Sequence, residues 1–336
     1  MILAGDIGGT NARLALYEVQ AGKLEQVTET VFPSRQHSGL DEIVAKFADQ
    51  LATQGKPMPE AACFGIAGPV VNGRSETSNL PWVVESTQLA AVLGLPKVQL
   101  INDLEANGWG IATLSGDDLV TLNQIQGHPE GNQAVVSAGT GLGEAGLYWD
   151  GRQHHVFACE GGHADFAPRN EVEMQLLQYL MALFGHVSYE RILSGPGLVN
   201  VFKFLRDTGH GRPEPWLVEE MAASDPAAAI SRAAMAGTCQ LCELALDLFI
   251  SIYGAEAGNM ALKVMAMGGL FLGGGIAPKI LSKLKGPLFM DAFRNKGRLQ
   301  RVMESIPVRV ITNDKTALLG AARCAQQGDS HARTFQ

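Results

Sequence analysis

The sequence predicts an α/β protein built as two lobes, and three observations predict it. Its 336 residues are about twice a typical single domain. Short apolar runs suited to strands alternate with stretches of helical period. A strand, a glycine-rich turn and a second strand occur at the amino terminus and again from Ala134, so the two lobes look related by design.

Ile2 to Asp6 is an apolar run that meets Gly8 and Gly9 and resumes as Arg13 to Tyr17, which reads as strand, glycine turn, strand. Leu40, Ile43, Val44, Phe47 and Leu51 recur at helical spacing, with Ser38 as a cap, and predict an amphipathic helix over 40–54. A buried strand, Ala62 to Ala67, precedes a loop around Gly68 and Pro69. A short helix near Thr87 to Leu93 and a strand, Val98 to Ile101, lead to Asn102 and Asp103.

The pattern restarts with a strand at Ala134 to Ala138, a glycine turn at Gly139 to Gly143 and a strand at Ala145 to Trp149, where Asp150-Gly151 signals a hairpin. Glu171 to Phe184 and the long stretch from about Asp225 to Val264 have helical period, so the second lobe is the more helical. A third glycine cluster, Gly268 to Gly275, precedes a helix expected at Pro278 to Leu284. After a strand at Val308 to Thr312, the final helix, Asp314 to Gln326, is free to return to the first lobe. That lobe is then discontinuous, residues 1–112 with 313–336, around a second lobe of 113–312. The tail from Gly328 is polar and reads as frayed.

Composition narrows the function. With 46% apolar and 18% charged residues, disorder and a collagen-like repeat are excluded. The longest near-apolar run, Val264 to Ala277, is broken by five glycines and falls short of the roughly 18 to 20 residues of a membrane span. No basic region precedes an apolar stretch at the amino terminus, and the odd count of five cysteines gives no disulfide framework, so a cytoplasmic protein is expected. The net charge of −8 argues against broad binding of nucleic acid or an anionic membrane and favours a small-molecule partner.

Glycine turns tipped with hydroxyl or amide groups let backbone N–H groups approach phosphate oxygens, because no Cβ intervenes. Asp6-Ile7-Gly8-Gly9-Thr10-Asn11 and Gly139-Thr140-Gly141-Leu142-Gly143 both fit. No Gly-Lys pair is followed by Ser or Thr, which excludes a Walker A loop. Gly141-x-Gly143-x-x-Gly146 matches the dinucleotide fingerprint in letters, with Asp165 about 20 residues on. The following residues read as a strand, where that fingerprint needs a helix. Cys159, Glu160, His163 and Asp165 make no convincing metal set, and Cys239-x-x-Cys242 has no second pair, so buried thiols are expected there. His154-His155 reads as a solvated strand pair, and the apolar stripe from Leu241 to Ile252 as core or a subunit interface.

Six ordered blocks together resemble a known family. They are Gly5-Asp6-Ile7-Gly8-Gly9-Thr10-Asn11-Ala12-Arg13, Ile101-Asn102-Asp103, Gly139 to Gly143, Glu160-Gly161-Gly162-His163-x-Asp165-Phe166-Ala167-Pro168, His186-Val187-Ser188-x-Glu190-Arg191, and Leu193-Ser194-Gly195-Pro196-Gly197-Leu198. Over about residues 2 to 325 the chain resembles bacterial glucokinases of the zinc-free type. The resemblance implies the two-lobed hexokinase/actin/Hsp70-type fold, with ATP between two α/β lobes and a sugar in the interlobe cleft. It implies ATP-dependent phosphorylation of glucose at the 6-hydroxyl, the first step of glycolysis, with Mg²⁺ and without zinc, by a homodimer.

By that resemblance Asp103 removes the proton from the sugar hydroxyl, a role a carboxylate suits, although a helix cap is the simpler reading of the residue alone. Asn102, Glu160, His163 and Glu190 are implied to hold sugar hydroxyls; for Glu190 the alternative is helix-terminus electrostatics behind Ser188. Asp6 is implied to hold Mg²⁺ through water, with Gly8, Gly9, Thr10, Asn11, Gly139, Thr140 and Gly141 around the phosphates and Gly274 and Gly275 on the adenosine side. The related repressor/open-reading-frame/kinase family carries a cysteine-rich zinc motif after its Gly-His pair, whereas Gly162-His163 here is followed by Ala-Asp-Phe-Ala-Pro. The alternatives are another hexose or N-acetylhexosamine kinase, or a sugar sensor without turnover. Sensors of the related family carry a helix-turn-helix ahead of the kinase fold; with a strand starting at Ile2, none is expected.

Overall fold

The computed structural model describes residues 1–77, 80–125, 127 and 129–331. The chain forms two compact units, Met1–Ser115 joined by the residues from Asn313, and Gly116–Thr312.

In the first unit, β1 (Ile2–Ile7) pairs antiparallel with β2 (Asn11–Gln20), which pairs with β3 (Lys23–Pro33). After helix α1 (Leu40–Thr53), β4 (Ala61–Ile66) lies parallel to β1. A small antiparallel sheet of β5 (Val70–Val71), β6 (Arg74–Glu76) and β7 (Val83–Glu85) follows, then α2 (Ser86–Leu93), β8 (Gln99–Asn102) parallel to β4, and α3 (Asp103–Ile111). The main sheet runs β3-β2-β1-β4-β8. Successive residues of a strand point to opposite faces. Leu3, Ile7, Leu14 and Leu16 therefore pack with Ile43, Phe47 and Leu89 of α1 and α2, while Ile2, Ala4, Ala15 and Tyr17 face the other way.

Helix α1 starts where its apolar spacing predicts, but Ser38 is not its cap. Gly39 occupies that position, and the Ser38 N–H and Oγ both donate to Glu42 Oε2 at 2.8 Å, a carboxylate reaching back from the first turn. Strand β3 escapes the sequence reading because only Phe32 in it is buried. It is the sheet edge, with no apolar run to mark it.

The second unit holds β9 (Leu119–Thr121), β10 (Gln133–Ala138), β11 (Leu142–Trp149), β12 (His154–Cys159), α4 (Glu171–Phe184), α5 (Gly195–Asp207), α6 (Pro215–Ala223), α7 (Pro226–Ala236), α8 (Gln240–Val264), β13 (Gly269–Gly273), α9 (Leu281–Leu284), α10 (Pro287–Arg294), α11 (Gln300–Glu304) and β14 (Val308–Ile311). Its sheet order, β12-β11-β10-β13-β14-β9, places an antiparallel meander beside parallel strands, as in the first unit. Strand β11 starts at Leu142, so the glycine turn is only Gly139–Gly141, and the strand after it removes the dinucleotide alternative.

The expected single helical stretch is two helices, α7 and α8, bent by 101°. Cys239 caps α8, its Sγ accepting the Cys242 N–H, so both thiols are buried in the helix start. The stripe from Leu241 to Ile252 is core: Leu246, Phe249 and Ile250 are fully buried. Among the described residues no single helix is long and apolar enough to cross a membrane. The expected helix at Pro278–Leu284 is a 3-10 turn, Ala277–Ile280, running into α9.

The last helix, α12 (Thr316–His331), belongs to the first unit, where Leu318, Ala321 and Ala322 pack under Ala4 and Ala15 and the helix lies along α3. Residues 332–336 of the polar tail lie outside the described residues.

Candidate active site

In the first unit the end of β1, the turn that follows it and the start of α3 carry the expected residues. Gly8 N–H donates to Asn11 O at 3.0 Å, closing the turn, and Thr10 and Asn11 are exposed. Ser34, fully buried, fixes the turn from behind. Its Oγ donates to Gly8 O at 2.8 Å and its N–H to Thr10 O at 2.9 Å. No sequence signal marked Ser34; the role comes from where β3 ends.

Asp6 sits opposite Arg13 in the β1–β2 ladder. Burial raises its carboxyl above the ordinary range, Arg13 opposes that shift, and Asp314 adds to it. Arg13 is shared, with Glu29 at 3.6 Å and Asp314 at 3.3 Å. Among the described residues no donor hydrogen-bonds to the Asp6 carboxylate. A half-covered oxygen donor with a burial cost that a cation would offset fits a hydrated Mg²⁺.

Asn102 is the cap of α3. Its side-chain oxygen accepts the Leu104 N–H at 2.8 Å and its amide donates to Gly68 O at 3.0 Å. Asp103, the first residue of the helix, also accepts from Leu104 N–H, at 3.0 Å. With Asn102 in the cap position, the carboxylate of Asp103 is not needed as the sole cap.

The second unit brings the remaining residues into two linked groups. Gly139 N–H donates to Gly141 O at 2.9 Å, and Gly195 N–H, at the start of α5, donates to Gly139 O at 2.8 Å. Gly274, at φ +78°, lies against Ala138 O, and Ile276 N–H donates to that same carbonyl. A cavity of about 1150 Å³ opens here, lined by Gly139, Thr140 and Gly275, by Gly195 of α5 and by the apolar Val199 and Met235. Ser194-Gly195-Pro196, one of the six sequence blocks, forms the rim of this cavity at Gly195 and Pro196. Ser194 caps α5 with proline in the first turn, a readable helix start whose dipole favours an anion.

The second group is Glu160, His163 and Glu190. Glu160 precedes a 3-10 turn, Gly161–His163, and both side chains are exposed. An Asp165–Ser188 bridge, Phe166 N–H to Val187 O at 3.0 Å and Tyr189 N–H to Ala164 O at 3.1 Å lay this segment beside the turn Tyr189–Arg191 that carries Glu190. Glu190 Oε2 accepts the Leu142 N–H at 3.0 Å, and a Cβ at Gly141 would lie 2.4 Å from that oxygen. A side chain at 141 would displace the Glu190 carboxylate, and Glu190 ties the Glu160–His163 segment to the Gly139–Gly141 turn. The Ser188 side chain makes no cap there.

The other histidines and cysteines stay outside both groups. His154 and His155 are not a solvated pair: His154 Nε2 meets Gly131 O at 3.0 Å and His155 Nε2 meets Asp150 at 2.6 Å. All five cysteines are free thiols, and among the described residues no three His, Cys, Asp or Glu side chains form a metal-binding group.

Solved structures place this fold. A glucokinase from an Antarctic psychrotroph matches with a TM-score of 0.84 at 31% identity, covering 97% of this chain and 98% of that one. A ROK family glucokinase from Streptomyces griseus, solved with glucose and AMPPNP, matches in fold with a TM-score of 0.62 at 22% identity over 97% and 99% of the two chains. The protein is thus a sugar kinase of the hexokinase-type, actin-like fold. Residues 3–328 match the glucokinase family model. The chain is 44% identical to the glucokinase of a Nostoc species over 97% of this chain and 98% of that one, and 38% identical to that of Psychromonas ingrahamii over 97% of each. It belongs to the glucokinase family.

Proposed function

We propose that this protein is a glucokinase, transferring the γ-phosphoryl group of ATP to the 6-hydroxyl of glucose. The observation that carries the reading is the family match across residues 3–328, with 44% identity to a curated glucokinase. The cavity beside Gly139 and Thr140, lined by the apolar Val199 and Met235 and by Lys203, Arg232 and Lys279, supports a donor with both an apolar base and phosphates.

Asp103 accepts the proton of the 6-hydroxyl as that oxygen attacks the γ-phosphorus and the bond to ADP breaks. Asn102, Glu160, His163 and Glu190 hold the sugar. The Gly8–Asn11 and Gly139–Gly141 turns receive the phosphates on backbone N–H groups other than those of Gly8 and Gly139, which close the turns, with Gly274 and Gly275 on the adenosine side. Asp6 would hold Mg²⁺, and that ion would neutralise charge on the transferring phosphates. Zinc is not required: Cys239 and Cys242 are buried in the start of α8.

The enzyme works in the cytoplasm as a homodimer. An exposed apolar stripe on α4, Met174, Met181 and Phe184 with the half-buried Leu177, supports a second copy as its partner. The test is incubation with glucose, ATP and Mg²⁺, followed by phosphorus NMR. Glucose 6-phosphate and ADP in equal amounts are expected; glucose binding without ADP release means a sensor.

A further inference from the structure

Glu144 has no part in the mechanism above, yet it is 1% exposed in the middle of β11, paired with Val136 of β10 and Cys159 of β12. No N–H or O–H donor among the described residues reaches either of its oxygens. Its carboxyl lies against the backbone of Gly161, where a Cβ would be 1.9 Å from Oε2. Gly161 follows Glu160 and opens the turn that ends at His163.

The groups around Glu144 leave it little choice of charge. From α8 it faces Glu256, itself fully buried, and Lys263, whose Nζ is 3.5 Å from Glu256 and half exposed. Tyr253 of α8 donates its hydroxyl to Val136 O; Cys159 lies on β12 and Glu160 on the turn. Beyond Glu256 lie Tyr189, Arg169 and Lys296, whose ammonium is spent on Ala255 O and Asn259. Glu256 also accepts the Asn259 amide at 2.8 Å, whereas Glu144 has no donor of its own, so burial beside that second acid favours the neutral form of Glu144.

We infer that Glu144 is a positioning residue for the sugar-binding turn: as a neutral acid packed against Gly161 it supports that turn, and loss of its proton at alkaline pH loosens Glu160 and His163. Burial and the Glu256 charge push the Glu144 carboxyl up to about 8. The inference rests on the reading that this turn holds the sugar, and one arm of the test checks that separately.

The experiment is calorimetric titration of the intact protein with glucose, without nucleotide, from about pH 6.5 to about 9.5. In the wild type, Kd should rise roughly fivefold or more on passing about pH 8. Glu144→Gln keeps the shape and cannot ionise, so its Kd should match the wild type at neutral pH and stay flat above it. A flat wild-type profile, or the same rise in Glu144→Gln, overturns the inference. Should Glu144→Gln not fold, amide exchange at Gly161–His163 in the wild type, corrected for intrinsic rate, decides instead: protection lost above about pH 8 supports the inference and unchanged protection overturns it. Separately, Glu160→Gln should weaken glucose binding at neutral pH. Wild-type affinity there would remove the turn from the sugar site, while the exchange result would still report on Glu144.

Discussion

At the scale of single residues, the two acids of the first unit separate cleanly. Asp103→Asn keeps its size and its place beside the Asn102 cap, so glucose binding should persist while kcat falls by roughly 10² to 10⁴. Asp6→Ala removes the candidate Mg²⁺ donor, so its Mg²⁺ requirement should rise while glucose affinity without nucleotide holds. Calorimetry and initial rates against Mg²⁺ read both; near-wild-type turnover by folded Asp103→Asn rules it out as the base. Glu144 makes a stability prediction of its own. The native state keeps a proton that the unfolded chain loses above about 4.5, so wild-type stability is full below that pH and is lost as pH climbs toward about 8. The melting-temperature advantage of Glu144→Gln should therefore widen between those values, and a constant gap contradicts it. The places of Asp6, Asn102 and Asp103 were legible in the sequence because each lies where an apolar strand run gives way to a turn or a helix start. Glu144 was not, because in β11 a buried acid and an exposed one look alike until α8 covers it.

At the scale of elements, the turn after β1 depends on Ser34, which lies beyond the end of β3 and makes two hydrogen bonds to the turn. Ser34→Ala keeps the backbone bond and loses the one to Gly8 O, a loss of about 1 kcal/mol. The KM for ATP·Mg²⁺ should rise several-fold with the glucose KM unchanged; equal changes in both contradict a local role. On the proposal that α4 forms a homodimer interface, the wild type should sediment as a dimer and Met181→Asp as a monomer; a monomeric wild type or an unaltered variant dimer contradicts it. Helices α1 and α4 were legible because their apolar spacing is regular, whereas α5, α6, α10, α11, β9 and β13 were not read as elements. Strand β3 and the small β5-β6-β7 sheet were not, since almost all of their residues stay exposed or half-buried. The break between α7 and α8 was hidden because both helices are apolar and only the Gly237-Thr238-Cys239 cap separates them.

At the scale of the whole molecule, the chain is two α/β units with similar sheet plans, each ending a strand in a glycine turn, with Glu160 and Glu190 beside one of those turns and the Asn102-Asp103 pair in the other unit. The glycine motifs made both turns readable from the sequence, while the roles proposed for Asn102, Glu160, His163 and Glu190 come from the six-block resemblance. Which hydroxyls those side chains prefer is a matter of side-chain geometry, which motif letters do not carry. The most direct measurement is therefore kcat/KM on a panel of glucose, fructose, mannose and N-acetylglucosamine with ATP and Mg²⁺, following ADP release. Glucose should give the highest value by a wide margin. Greater efficiency on fructose or N-acetylglucosamine, or no turnover on any sugar, would contradict the assignment.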